Sequence, residues 1–165
     1  MRLAFATATA ADALAVAALR TDAAAQLTRQ FGQGHWSTGT TEAGVLRGIQ
    51  SSRVLVVRRG RTLVASLRLT TRKPWAINPG YFAPSRSPIY LLDMVVASDV
   101  QRAGIGRRVL EHATRTARAW PADAIRLDAY DAPAGAAPFY TKCGYREVGR
   151  VSYRGVPLVY LELVL

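Results

Sequence analysis

One stretch of the sequence limits the possible folds more than any other: residues 89–97 form an almost continuous apolar run that Asp93 interrupts. Apolar and polar residues alternate in a strand with one solvated face, whereas a strand buried on both faces is apolar throughout. The run therefore predicts a strand that is covered on both sides. Such a strand needs a sheet beside it and further elements packed over it.

The segments on either side of this strand alternate between helical and extended patterns. Their order is strand, helices, three strands of antiparallel type, helix, strand, helix and two strands. This order predicts a mixed α/β fold with a central sheet. The predicted elements are strand 2–7, helices 9–18, 21–30 and 41–51, strands 54–57, 62–70 and 89–97, a helix that ends near residue 119, strand 125–130, helix 135–142, and strands 145–153 and 158–165.

Length and composition predict a single domain over residues 1–165. Of the 165 residues, 50% are hydrophobic and 20% are charged, which excludes a disordered chain. No uncharged apolar run approaches the ~20 residues of a membrane-spanning helix. Asp12 interrupts the alanine-rich N-terminal stretch, which argues against a secretion signal. We therefore expect a cytoplasmic protein without a membrane partner.

The charge balance favours an anionic ligand. The chain has 22 Lys and Arg against 11 Asp and Glu, a formal net charge of +11, which suits a nucleic acid, an anionic membrane surface or a phosphate-bearing small molecule. The basic residues form no long run and do not alternate with aromatic residues, which disfavours nucleic acid. One cysteine, Cys143, and two distant histidines, His35 and His112, disfavour a metal site.

A glycine-containing turn follows the buried strand and precedes a helix. Amide groups at the start of a helix lack partners inside it, and glycines allow a phosphate to approach them closely. A nucleotide-hydrolase loop is excluded because the sequence has no GxxxxGK[ST] string, and the third glycine of a dinucleotide fingerprint is replaced by Val109. A pyrophosphate site and a plain connecting turn remain open. The turn reads Gln101-Arg102-Ala103-Gly104-Ile105-Gly106.

A second motif decides between these two interpretations. Some thirty residues later the chain reads Ala136-x-x-Phe139-Tyr140-x-x-x-Gly144-Tyr145. The two motifs together, in this order, resemble those of the GCN5-related N-acetyltransferase (GNAT) family, most clearly over residues 50–150. The resemblance implies the GNAT fold, a mixed central sheet with splayed fourth and fifth strands flanked by helices. It also implies transfer of an acetyl group from acetyl-CoA to a primary amine, without a metal.

The resemblance also implies where acetyl-CoA binds. The main chain of the fourth strand would bind the pantetheine arm, and the amides of the glycine turn would bind the pyrophosphate. Family members often carry an asparagine seven residues before the tyrosine, where this sequence has Pro133, so Asp131 is a candidate replacement. The implied cofactor-binding residues are Met94, Val95, Val96, Gln101, Arg102, Ala103, Gly104, Ile105, Gly106, Arg107 and Tyr140.

Three residues are candidates for proton transfer. Tyr140 matches the family tyrosine that acts as general acid, since the departing thiolate needs a proton or a hydrogen bond. Asp128 and Asp93 interrupt apolar strands, where an acidic residue needs a reason. Each is a candidate general base or, alternatively, a structural carboxylate paired with an arginine.

The acceptor is expected to be a small-molecule or peptide amine. His35, Trp36, Trp75 and Tyr81 lie in loops that can line its pocket or simply anchor those loops. The edge of the terminal hairpin offers a surface for homodimer formation. A non-catalytic, CoA-binding regulatory module of the same fold is the alternative function.

Overall fold

The computed structural model describes residues 2–165, and across them the predicted order of helices and strands is confirmed except in the first helical region. In chain order the elements are β1 (Leu3–Thr7), α1 (Ala13–Phe31), α2 (Glu42–Ser51), β2 (Arg53–Arg59), β3 (Thr62–Thr70), β4 (Pro88–Val96), α3 (Ile105–Ala119), β5 (Ala124–Tyr130), α4 (Ala137–Lys142), β6 (Arg146–Tyr153) and β7 (Val156–Val164).

The seven strands form one mixed sheet in the order β1-β2-β3-β4-β5-β7-β6. β4 and β5 are parallel, and their pairing runs from Pro88 opposite Ala124 to Tyr90 opposite Arg126. Both strands continue beyond these three pairs, as the predicted splay requires. The β1–β2, β2–β3, β5–β7 and β6–β7 pairs are antiparallel.

The chain forms two compact units, and β4 contributes residues to both. The first unit comprises the described part of Met1–Thr70 together with Leu92–Ala113, and the second comprises Thr71–Leu91 with Thr114–Leu165. The organisation of residues 1–165 as a single domain stays a prediction. No helix within residues 2–165 combines the length and the apolar character needed to cross a membrane.

The first unit has a core of small apolar side chains where α1 and α2 pack against β2. This cluster is built mainly from alanines and valines, so the helices approach the strand closely. On β1, the Phe5 ring lies 4.8 Å from His112 of α3, which gives that histidine a packing role. The buried members of the cluster are Ala8, Ala13, Val16, Ala17, Val45, Val54 and Val56.

The sequence prediction of two helices between residues 9 and 30 is wrong. A short 3-10 turn, Ala10–Asp12, leads into the single 19-residue helix α1. The backbone N–H of Thr9 donates to the Asp12 carboxylate at 2.8 Å, which satisfies one of the amides at this end. No glycine or proline follows until Gly32, whose φ of 83° ends the helix. Without a helix-breaking residue, the helix continues.

The second unit is organised around the long antiparallel pairing of β5 and β7. The chain between β3 and β4, with its single 3-10 turn Pro79–Tyr81, is pinned to β7. The Tyr160 hydroxyl accepts from the Asn78 amide at 3.1 Å and donates to the Ala76 carbonyl oxygen. These bonds explain how an irregular, proline-rich segment stays ordered.

Candidate active site

The glycine turn at the start of α3 has the geometry of an anion cradle. Arg102 and Gly104 are both left-handed, with φ of 62° and 77°. Alternation between left- and right-handed residues turns successive amides toward one side of the chain. Residues 101–104 are exposed, and a Cβ at Gly104 would meet no atom within 4 Å. The turn is therefore open where a phosphate group would approach.

The end of β4 is tied to this turn by Gln101. The Gln101 side-chain amide donates to the Val96 carbonyl oxygen at 3.0 Å. Ala97, which follows Val96, donates its backbone N–H to the Val64 carbonyl oxygen of β3 at 2.8 Å. Gln101, predicted as a cofactor-binding residue, thus fixes the turn relative to the strand.

Asp93 breaks the regular geometry of β4. Its φ of 57° is left-handed, a conformation that costs energy for a residue other than glycine but is less costly for aspartate. One carboxylate oxygen lies 3.1 Å from Arg20 Nη2 of α1, and the other lies 3.2 Å from Arg68 Nε of β3. The ion-pair alternative for Asp93 is therefore present in the structure, and its role as a base stays a prediction.

The two arginines and Asp93 line a cavity of about 320 Å³ in the first unit, together with Arg47 of α2. Sequence reasoning missed all three arginines, because arginine is abundant along the whole chain. One signal was present: α2 contains Gly44 and Gly48, and glycines are unusual inside a helix.

Tyr140 lies near the end of α4 and is buried, with 7% of its surface exposed. A tight turn brings α4 close to the end of β5: a Cβ at Gly135 would lie 1.8 Å from the Tyr130 carbonyl oxygen, so that position requires glycine. The Tyr140 ring is packed beside Phe139 and Tyr145, with centroids 5.4 and 5.6 Å away. These two ring contacts hold the Tyr140 side chain in place.

Burial raises the pKa of Tyr140 well above its ordinary value, and the negative charges of Asp128 and Cys143 raise it further. The structure thus brings Tyr140 and Asp128 into electrostatic contact within the second unit. Asp128 is opposite Tyr160 on β7, and its charge contributes, after burial, to raising the pKa of Tyr160 as well. Tyr140 consequently stays protonated throughout the physiological pH range.

The aromatic loop residues fall into two separate places. Trp75 and Tyr81 line a cavity of about 390 Å³ in the second unit, and they are 84% and 45% exposed. In the first unit, Trp36 Nε1 donates to the Gly32 carbonyl oxygen at 3.0 Å, and His35 lies in the same 3-10 turn. Trp36 is therefore an anchor of its own loop. Acceptor binding by all four stays a prediction.

The suggested replacement for the missing asparagine has a different partner. The Asp131 carboxylate lies 3.1 Å from Arg150 Nη1 on β6, and both side chains are exposed to solvent. Asp131 is therefore engaged in the second unit by an arginine, and no cofactor contact is assigned to it.

Comparisons with known proteins agree with this geometry. The model of the acetyltransferase (GNAT) family matches residues 20–145. No curated protein matches the chain. Solved structures do: an N-acetyltransferase from Staphylococcus aureus Mu50 has a TM-score of 0.74 at 15% identity and covers 99% of both chains.

Two further solved structures have the same fold. The ribosomal-protein-alanine N-acetyltransferase from Brucella melitensis has a TM-score of 0.73 at 19% identity, over 98% of this chain and 99% of that one. The protein yncA from Salmonella typhimurium, solved with its cofactor acetyl-CoA, has a TM-score of 0.69 at 16% identity, over 99% and 94%. The family model matches most of the chain, and the solved structures share its fold. The chain therefore belongs to the GNAT acetyltransferase family.

Proposed function

We propose that the protein transfers an acetyl group from acetyl-CoA to the primary amine of a small molecule or peptide by direct attack on the thioester. One observation carries the proposal: the exposed turn before α3, with left-handed residues at Arg102 and Gly104 and open space at Gly104. In a chain of the GNAT family, such a turn fits the diphosphate of coenzyme A.

The charge at the start of α3 supports this assignment. The amides at the start of a helix and the helix dipole favour an anion at this end of the 15-residue helix. Arg102, Arg107 and Arg108 are exposed around the turn and add positive charge. The amides of residues 101–107 would hold the diphosphate, and the main chain of Met94–Val96 would hold the pantetheine arm. Acetyl-CoA supplies the activated acyl group.

Tyr140 is the proposed hydrogen-bond donor to the departing sulfur. Its raised pKa keeps the phenol protonated, so the donor is present whenever the thiolate forms. Since a thiol has a pKa of about 8.5, complete proton transfer from Tyr140 to a thiolate is uphill. Its contribution is therefore a hydrogen bond that strengthens as charge develops on sulfur, and removal of one such donor typically costs about 10²–10³-fold in rate.

Asp128 is the proposed acceptor of the proton that the amine loses. It is half-buried on β5, and its charge contributes to raising the pKa of Tyr140, which supports a paired role for the two groups. Two titratable groups with opposite tasks in one environment are typical of acid–base sites. Positioning of the two substrates supplies the larger share of the rate acceleration.

The first test distinguishes a loss of CoA binding from a general effect of backbone strain. Gly104→Val should weaken CoA binding at least tenfold, measured by isothermal titration calorimetry. Gly60→Val in the β2–β3 turn is the matched control, because Gly60 also has a positive φ, 63°, and open space around its Cβ position. Wild-type CoA affinity in Gly104→Val would remove the turn from the binding site.

The same assay series tests the chemistry. Tyr140→Phe should lower kcat for thiol release by about 10²–10³-fold with CoA affinity unchanged, whereas Tyr145→Phe should not lower kcat. Because the pKa of Tyr140 is raised, the ratio of wild-type to Tyr140→Phe rates should stay constant up to about pH 10, the ordinary tyrosine pKa. CoA binding without thiol release for any amine would instead identify a regulatory module.

A further inference from the structure

Building on the proposed function, we propose that the cavity of the first unit binds the acceptor, and that this acceptor is a small amine carrying a carboxylate. The cavity is formed by residues of α1, α2, β2, β3 and β4. The polar side chains of the cavity indicate a ligand with a carboxylate. The position of the cavity along β4 indicates that this ligand is the acceptor.

The cavity has an excess of positive charge. Three guanidinium groups, those of Arg20, Arg47 and Arg68, line it with a single carboxylate, that of Asp93. Asp93 binds Arg20 and Arg68 through one nitrogen each, so both arginines keep further N–H donors. Within residues 2–165, Arg47 forms no ion pair. The cavity therefore has capacity for one more anionic group.

The arrangement of the arginines favours a carboxylate. Asp93 pairs with Arg20 and Arg68, which reduces the side-chain freedom that each arginine loses when a ligand binds. Arginine binds carboxylates through parallel N–H donors, a geometry that lysine cannot provide. The side chains of Arg20, Arg68 and Asp93 are about a quarter to a third exposed, so a ligand can reach them.

A glycine in α2 leaves room for one of these arginines. Glycine costs about 1 kcal/mol relative to alanine inside a helix. A Cβ at Gly48 would lie 3.3 Å from Arg68 Cδ, tighter than most such contacts, whereas one at Gly44 would be in ordinary contact with Arg47, 3.7 Å from Nη2. A methyl group at Gly48 would therefore press on the Arg68 side chain, and the helix contains glycine where that side chain needs room.

The cavity also lies beside the proposed donor segment. Asp93 lines it and directly precedes Met94, the first residue proposed to hold the pantetheine arm. The left-handed backbone at Asp93, φ 57°, marks the same place. A ligand held by the arginines consequently lies along β4 where the acyl group would be presented.

The size and the charge of the cavity limit the identity of the acceptor further. A volume of about 320 Å³ is at the lower end of the roughly 300–1,000 Å³ typical of small-molecule sites. The arginines would repel a polyamine, whereas a carboxylate at one end of an amino acid would be attracted. The expected acceptor is therefore an amino acid or a molecule of similar size with an amine and a carboxylate.

The test compares the twenty L-amino acids and β-alanine with their carboxamides, using thiol release in the presence of acetyl-CoA. At least one free acid should exceed its own amide tenfold or more in kcat/KM. Arg47→Gln and Arg68→Gln should reduce that preference at least tenfold through KM, with kcat little changed. Arg61→Gln, an exposed arginine in the β2–β3 turn, is the control for loss of one positive charge and should preserve the preference.

A binding measurement separates this inference from the proposed function. The same acids and amides are titrated calorimetrically into the CoA-loaded protein. Arginine-dependent binding of an acid without any thiol release would support the anionic site and contradict the transferase. Acetylation with no acid preferred over its amide, or a preference that both arginine variants retain, would overturn the inference and leave the transferase intact. If Arg68→Gln does not fold, the acid preference of Arg47→Gln, a change at an exposed position, tests the inference.

Discussion

Each compact unit contains a cluster of arginine and carboxylate groups, and the two clusters differ in burial and in charge balance. In the second unit, Arg126 of β5 and Glu162 of β7 are paired across the ladder at 3.2 Å, with side chains 5% and 3% exposed. In the first unit, Arg20, Arg68 and Asp93 are 27–31% exposed and line a cavity.

The second-unit cluster is closed. Arg126 also donates to the Ala83 carbonyl oxygen at 2.7 Å and lies over the Phe82 ring at 4.9 Å. Glu162 accepts from the Ala83 amide at 3.3 Å. One cation meets one anion, and each of them also bonds to the main chain of Ala83, so this cluster fastens the segment before β4 to the sheet.

The first-unit cluster is open because it has more cations than anions and reaches solvent. On our proposal, the unbalanced and accessible cluster binds a ligand, whereas the buried pair stabilises the fold. A buried, balanced pair indicates structure. The sequence around the two clusters does not distinguish them.

The largest effect on stability is expected when the closed cluster, Arg126 with Glu162, is broken. Glu162→Gln leaves Arg126 buried without a counter-charge, so the free energy of unfolding should fall by about 3–5 kcal/mol, measured by urea denaturation. Glu147→Gln removes the exposed partner of Arg150 in the same unit and should change stability by at most about 1 kcal/mol. Equal effects of the two variants would show that burial does not separate these pairs.

A smaller effect is expected from two buried tyrosine hydroxyls, one with hydrogen-bond partners and one without. The Tyr145 hydroxyl is buried and has no hydrogen-bond partner, among the described residues, whereas the Tyr160 hydroxyl has two. Tyr145→Phe should therefore stabilise the protein by about 1 kcal/mol, and Tyr160→Phe should destabilise it by about 1–3 kcal/mol. Thermal and urea unfolding measure both. Destabilisation by Tyr145→Phe would mean that its hydroxyl does have a partner in solution.

The smallest effect concerns the open cluster. Asp93→Asn should lower stability by no more than about 1 kcal/mol, since the pairs are accessible to water. Salt at 1 M shortens the screening length to about 3 Å, so the difference from wild type should shrink further, while that of Glu162→Gln should persist. A large, salt-insensitive loss in Asp93→Asn would make the open cluster structural, and the comparison would fail.

Much of the local structure could be predicted from the sequence. Hydrophobic periodicity located the strands, Gly32 and Pro121 lie just beyond the ends of α1 and α3, and the glycine turn occurs where expected. These signals are local, because periodicity and backbone freedom act over a few residues. The division of α1 into two helices was an error that the absence of a breaker could have prevented.

The cavity could not be predicted in the same way. Arg20, Arg68 and Asp93 lie on a helix and two strands that are far apart along the chain, and no spacing rule connects them. Equally, Tyr160 was not recognised as the anchor of the Ala76–Asn78 segment, because its hydroxyl acts across the sheet.

The amino-acid sequence by itself determined the succession of strands, most of the helices, the two motifs of the family, and the identity of Tyr140 as the candidate acid. Only the tertiary structure decided which arginines share a carboxylate, which of them are balanced by charge, and which side chains line a cavity. The physical reason is range. Backbone preferences act between neighbours in the chain, whereas charge balance, burial and cavity shape depend on groups that folding brings together from distant positions.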